Sequence, residues 1–204
     1  MTGRRAAHFD LEAPKEPQRG EYWCHKHRRQ CRPVESAAGF LSRYTNDTLA
    51  RIQGFARLRD PEREAAVVHG DAREAALVGP FDGILTSPPY PGLIDYHEQH
   101  RYAYELLGLD DRREREIGAA ASGMSRASLE AYRNGVATVL ANAAVKLRRG
   151  APILVVVNDR RGLYPEILAR AGLELEGRHR RHVNRRTGRR AGEYFEDVLV
   201  ARAG

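Results

Sequence analysis

Residues 81–96 read FDGILTSPPYPGLIDY. A short apolar run, Phe81 to Thr86, ends abruptly in Ser87-Pro88-Pro89-Tyr90. Such a run, closed by turn residues, is the pattern of a buried parallel strand. Two prolines directly after it fix the backbone and remove two N–H donors. What is left is a rigid turn presenting carbonyl acceptors, a serine hydroxyl and an aromatic ring. A plain proline-rich loop leaving a strand has the same local composition, so the turn has to be judged by its surroundings.

Two further runs resemble the first. Ala65 to Val68 leads into His69-Gly70-Asp71-Ala72, and Ala151 to Val157 (APILVVV) leads into Asn158-Asp159. Helical periodicity lies between and around them. Phe40, Leu41, Tyr44, Thr48, Ile52 and Phe55 recur at helical spacing within Glu35 to Leu58, and Asp60-Pro61 is a stop signal. Tyr96 to Leu107 is a second helix and Ser128 to Leu147 a third, with Leu129, Tyr132, Val136, Val139, Leu140 and Leu147 on one face. Tyr164 to Ala171 is a fourth, ended by Gly172. Leu173 to Val183 and Tyr194 to Ala201 read as two antiparallel strands around Thr187-Gly188. Strand–helix alternation followed by a terminal hairpin predicts a three-layer α/β fold. In such sheets ligands bind beyond the C-terminal strand ends, here Gly70-Asp71, Ser87 to Tyr90 and Asn158-Asp159.

The chain has 204 residues, of which 42% are hydrophobic, enough for one ordinary domain. The apolar runs are too short for a transmembrane helix, and residues 1–20 have no apolar signal region. A cytoplasmic location is the expectation. Cys24 and Cys31 are too few for a disulfide framework and read as reduced thiols. Cys24, His27 and Cys31 have a plausible zinc spacing, but no second Cys/His pair is near in sequence. The preferred reading there is a basic segment with Tyr22 and Trp23 packed inward and no metal. The net charge of +7 is concentrated: Arg178, Arg180, Arg181, Arg185, Arg186, Arg189 and Arg190 follow one another with no Asp or Glu between. Such a stripe is either a polyanion footprint or a solvated loop. By composition, residues 1–20 are a flexible arm, 21–62 a helical segment and 63–204 the chemistry-bearing part.

In this context the Ser-Pro-Pro-Tyr turn resembles the catalytic loop of the S-adenosylmethionine-dependent amino-methyltransferases of nucleic acids, which reads Asp, Asn or Ser, then Pro-Pro and an aromatic. The serine form resembles the DNA enzymes of cytosine N4 and adenine N6. The likeness extends over residues 65–201, and more loosely over 22–58. It implies a Rossmann-like three-layer sandwich, a mostly parallel sheet with a C-terminal antiparallel hairpin. Ser87, Pro88, Pro89 and Tyr90 are then catalytic. Ser87 and the Pro88 carbonyl accept the amine hydrogens, and Tyr90 stacks on an extruded base. Asp71 and Ala72 line the adenine of the cofactor, although Asp71 also suits a helix cap. Asn184, Arg185, Arg186, Arg189 and Arg190 contact DNA, with a turn or solvent role open for Asn184.

One family feature is missing. None of the 19 glycines forms the Gly-x-Gly of the cofactor loop, and no ribose-binding strand follows. In the family sheet order 3-2-1-4-5-7-6, this chain would supply strands 3 to 7 and lack 1 and 2. The expectation is therefore one half of a split enzyme, completed by a partner chain that carries the glycine-rich loop. The alternatives are an RNA methyltransferase of the same fold and an inactive nucleic-acid-binding relic.

Overall fold

The computed structural model describes residues 20–24, 28–32, 36, 38–183 and 195–203. They fall into two compact units, one up to Val67 and the other from Val68 onward.

The first unit holds an antiparallel hairpin, β1 (Tyr22–Cys24) and β2 (Arg29–Cys31), and a long helix, α1 (Ala38–Leu58). Trp23 is half exposed rather than packed inward. Among the described residues no second layer covers these three-residue strands, so the side chain has little to be buried against. The helix forms where its periodicity predicts and ends before Asp60-Pro61. It buries none of its residues: Phe40, Leu41, Tyr44, Ile52 and Phe55 are all exposed.

In the second unit β3 (Ile84–Thr86) is followed by two short helices, α2 (Tyr96–Gln99) and α3 (Arg101–Leu107). The single helix expected over Tyr96 to Leu107 is broken at His100. Then come α4 (Arg126–Ala144), β4 (Pro152–Val157), α5 (Tyr164–Arg170), β5 (Leu173–His182) and β6 (Phe195–Ala203). Ser125 caps α4 by accepting from the Ser128 N–H. Gly172, at φ +71°, terminates α5 in the left-handed conformation that glycine adopts without strain.

The sheet order is β3-β4-β6-β5. The β3–β4 pair is parallel, whereas β4–β6 and β6–β5 are antiparallel. The sheet is therefore mixed, not mostly parallel as expected. The difference lies at Ala65 to Val68, which is exposed, forms no strand, and joins no ladder among the described residues. An apolar run reports a tendency to be buried. A strand also needs a neighbour to take its N–H and C=O groups, and among the described residues none lies beside this one or beside the outer edge of β3.

The core forms on one face of the sheet. Ile153, Val155 and Val157 of β4, all at most 1% exposed, cluster with Leu199 and Ala201 of β6, with Tyr132, Val136 and Leu140 of α4, and with Ile167 and Leu168 of α5. Leu154 and Val156, on the opposite face, are only part-buried. Leu85, in register with Leu154, is 75% exposed. Among the described residues of this unit, α4 and α5 cover the core face of the sheet. Among the described residues no helix is long and apolar enough to cross a membrane. Ile153→Ala should cost about 2–5 kcal/mol, read from chemical denaturation, because a fully buried side chain at the middle of the sheet leaves a cavity. Leu85→Ala should cost well under 1 kcal/mol, because its side chain already lies in solvent.

Candidate active site

The β3–β4 ladder sets the site. Thr86 is in register with Val155, so the chain leaving β3 runs alongside Val156. There the Ser87 hydroxyl donates to the Val156 carbonyl at 3.0 Å. Its only proton is spent on that bond, and its lone pairs remain as acceptors. Two residues on, the Pro89 carbonyl accepts from the Tyr132 hydroxyl at 2.9 Å. The Tyr90 hydroxyl donates to Glu196 Oε1 at 3.0 Å. The Leu93 N–H closes a turn onto the Tyr90 carbonyl, and the Gly92 N–H reaches the Gly118 carbonyl. Gly118 has φ +75°, and a Cβ there would stand 2.9 Å from the Tyr132 ring and 3.3 Å from Pro91 Cα, so glycine is required for that approach. The Pro88 carbonyl has no partner among the described residues. The four-residue loop is thus tied down at Ser87, Pro89 and Tyr90, and it presents two acceptors, Ser87 Oγ and the Pro88 carbonyl.

The supporting residues belong to the core. Tyr132 and Tyr164 are 1% and 3% exposed, and their hydroxyls lie 2.8 Å apart. Burial pushes the Tyr132 hydroxyl up to about 12, and it raises Tyr164 further. Both therefore remain protonated donors through the neutral range. The sequence signal for them was present but unused: a tyrosine at a buried helix position must find a partner for its hydroxyl. Asn158, at the end of β4, donates to the Phe195 carbonyl, which fixes the start of β6. Asp159 is buried and accepts from the Leu163 and Tyr164 N–H groups at 2.8 and 3.1 Å. It serves as the cap of α5. Asn158-Asp159 thus lies at the strand ends beside the loop, as expected, and both side chains are used in holding it together.

Asp71 is held by arginines. Its Oδ1 accepts from the Arg73 backbone N–H and Nε, and its Oδ2 pairs with Arg73 Nη2 at 2.6 Å and Arg115 Nη2 at 3.1 Å. Arg73 thus gives the carboxylate three hydrogen bonds, and Arg115 adds an ion pair. The side-chain hydrogen bonds from Arg73 hold its carboxyl well below the usual range. Arg73 also reaches the Arg115 carbonyl, and the adjacent turn hangs from α4, where Asn142 Nδ2 donates to the Ala72 and Ala75 carbonyls at 3.1 Å. The segment around Arg115 to Ala120 joins this turn to the loop after Tyr90: Glu116 Oε1 accepts from the Tyr96 N–H, and the Ala120 N–H donates to the Ile94 carbonyl.

The three described arginines of the stripe share two carboxylates on the neighbouring strand. Arg178 and Arg180 face Asp197, and Arg181 pairs with Glu196 at 2.7 Å. The sequence shows no acid within the stripe, because Glu196 and Asp197 come to it on the neighbouring strand. Asn184, Arg185, Arg186, Arg189 and Arg190 lie outside the described residues, as does the Thr187-Gly188 turn. His27, the middle member of the zinc spacing, lies outside them too, and no cluster of three or more metal-ligating side chains occurs among those described.

The Asp71 geometry predicts acid sensitivity. Its carboxyl is depressed in the folded state, so its contribution to stability is complete above about pH 4, the unfolded value, and fades as pH falls further. Asp71→Asn should lower stability at neutral pH, and denaturation curves of the two proteins should converge under acid.

No family model matches the chain, and no solved structure does so significantly. It is 39% identical over 211 aligned positions to the type II methyltransferase M.MjaII of Methanocaldococcus jannaschii. That alignment takes in 96% of this chain, which spans only 40% of the relative's length. Over nearly its whole length the chain is thus related to part of a type II methyltransferase.

Proposed function

We propose that this chain carries the catalytic loop of an S-adenosylmethionine-dependent DNA amino-methyltransferase, acting on cytosine N4 or adenine N6 in a restriction-modification setting in the cytoplasm. The observation that supports this most is the pair of acceptors left by the loop's own hydrogen bonds. An exocyclic amine is a poor nucleophile because its lone pair is delocalised into the ring. Ser87 Oγ and the Pro88 carbonyl accept its two hydrogens and favour the pyramidal nitrogen, whose lone pair then faces the methyl donor. These dipoles are fixed before the substrate arrives, so they need no reorganisation in the transition state. Tyr90, held by Glu196, offers its ring as a stacking surface for a base swung out of the duplex. Asn184, Arg185, Arg186, Arg189 and Arg190, outside the described residues, are by charge and composition the candidates for contacts to DNA.

The residues present fit only one portion of a cofactor site. Asp71 is an acceptor suited to an adenine amine, reached if Arg115, about half exposed, gives way. With no Gly-x-Gly, the chain offers no loop for close approach to the methionine and ribose portions. When bound, S-adenosylmethionine supplies an electrophilic methyl on a sulfonium. We therefore propose that a partner chain contributes the glycine-rich loop, together with strands that cover the free edge of β3 and take in Ala65 to Val68.

The test is co-expression of the chain with the remainder of the methyltransferase as a separate polypeptide, scored by mass spectrometry of nucleosides from methylated DNA. The pair should form N4-methylcytosine or N6-methyladenine, and the chain alone should not. Equal rates from the chain alone would defeat the split arrangement, and silence from every combination would point to a relic. In the active pair, Ser87→Ala should lower kcat by about 10²-fold while the protein stays folded.

A further inference from the structure

We propose that Tyr132 and Tyr164 are positioning residues of the Ser87–Tyr90 loop: in series, they lock the Pro89 carbonyl and so aim the Pro88 carbonyl at the amine. This rests on the reading of that loop as catalytic.

The argument starts from the freedom left in a Pro-Pro turn. The pyrrolidine rings set φ at residues 88 and 89, and the remaining soft torsions are the two ψ angles. Upstream, Ser87 is held by its bond to the Val156 carbonyl. Downstream, the Gly92 N–H is held by Gly118. Between these anchors, the Pro89 carbonyl itself is held by Tyr132 Oη at 2.9 Å, while Tyr90 is held through its hydroxyl by Glu196 and through its carbonyl by the Leu93 N–H. With the Pro89 carbonyl held, the Pro88 carbonyl has little room to turn.

The direction of the bonds is determined by proton counting. A carbonyl only accepts, so the single Tyr132 hydroxyl proton goes to Pro89. The Tyr164 hydroxyl, 2.8 Å away, must then donate to the Tyr132 oxygen. Tyr164 opens α5, and its backbone N–H is gripped by the buried Asp159 carboxylate. A line of hydrogen bonds thus runs from the α5 cap, through two buried hydroxyls, to the loop. Placing two hydroxyls in an apolar core is unfavourable unless each is bonded. Phenylalanine would fill the same volume without that cost, so the hydroxyls point to a role beyond packing.

The test uses Tyr132→Phe, Tyr164→Phe and the double variant in the full chain with its complement. Two readouts are taken: amide hydrogen exchange at Gly92 and Leu93, and the separate kcat and KM of methyl transfer. Tyr132→Phe should speed exchange at both amides and lower kcat, each about tenfold, with KM for S-adenosylmethionine unchanged and thermal melting modestly lowered, because the buried Tyr164 hydroxyl loses its acceptor. Tyr164→Phe should show a smaller effect, and the double variant should be no worse than Tyr132→Phe, because Tyr164 acts through Tyr132. Unchanged exchange in Tyr132→Phe, faster exchange with unaltered kcat, or additive losses in the double variant would overturn the proposal. An inactive wild-type pair would refute the catalytic reading instead, and the exchange arm would still decide whether the tyrosines hold the loop.

Discussion

Among the described residues, strand β4 is the one strand of its sheet with a parallel neighbour on one side and an antiparallel neighbour on the other, and the candidate site depends on both pairings. On the β3 side, register delivers Ser87 to the Val156 carbonyl. On the β6 side, Val157 stands opposite Asp197, which brings Glu196 within reach of Tyr90. A slip of one residue in either ladder would turn every side chain of the slipped strand to the other face and disperse these contacts. The alternation of Ile153, Val155 and Val157 into the core guards against that slip. The chemistry of the loop is thus set by burial on β4, a strand that contributes no proposed catalytic group.

Much of this was legible in the sequence. Ala151 to Val157 has few readings other than an interior strand, and Gly172 stops α5 by a local rule. The Ser-Pro-Pro-Tyr loop was legible because its effect is local: proline constrains its own φ wherever it stands. Ala65 to Val68 was misread because strand formation is a property of pairs, and no partner for it lies among the described residues. The β1–β2 hairpin was missed because three-residue strands carry almost no periodic signal.

The loop's supports were hidden for another reason. Tyr132 meets Pro89 across 43 positions and Tyr164 across 32, while Glu196 meets Tyr90 across 106. Residues so far apart leave no local pattern. The same holds for Glu196 and Asp197 beside the arginines. Sequence showed an uninterrupted positive block, and for Arg178, Arg180 and Arg181 the adjacent strand supplies two carboxylates. A linear charge count therefore overstates how much positive field Arg178, Arg180 and Arg181 have to offer a ligand.

The uncovered edge of β3, with Leu85 in solvent beside it, has a kinetic consequence. Two copies of this chain can meet edge to edge, and that encounter is second order in the chain's own concentration. Capture of the edge by the complement proposed above would follow a different law. Within one polypeptide it is unimolecular and indifferent to dilution, and between two polypeptides it scales with the product of their concentrations. The balance between productive assembly and self-pairing therefore depends on how the two pieces are made. A covalent link makes dilution favour assembly, whereas separate pieces require the complement to be abundant whenever this chain is synthesised.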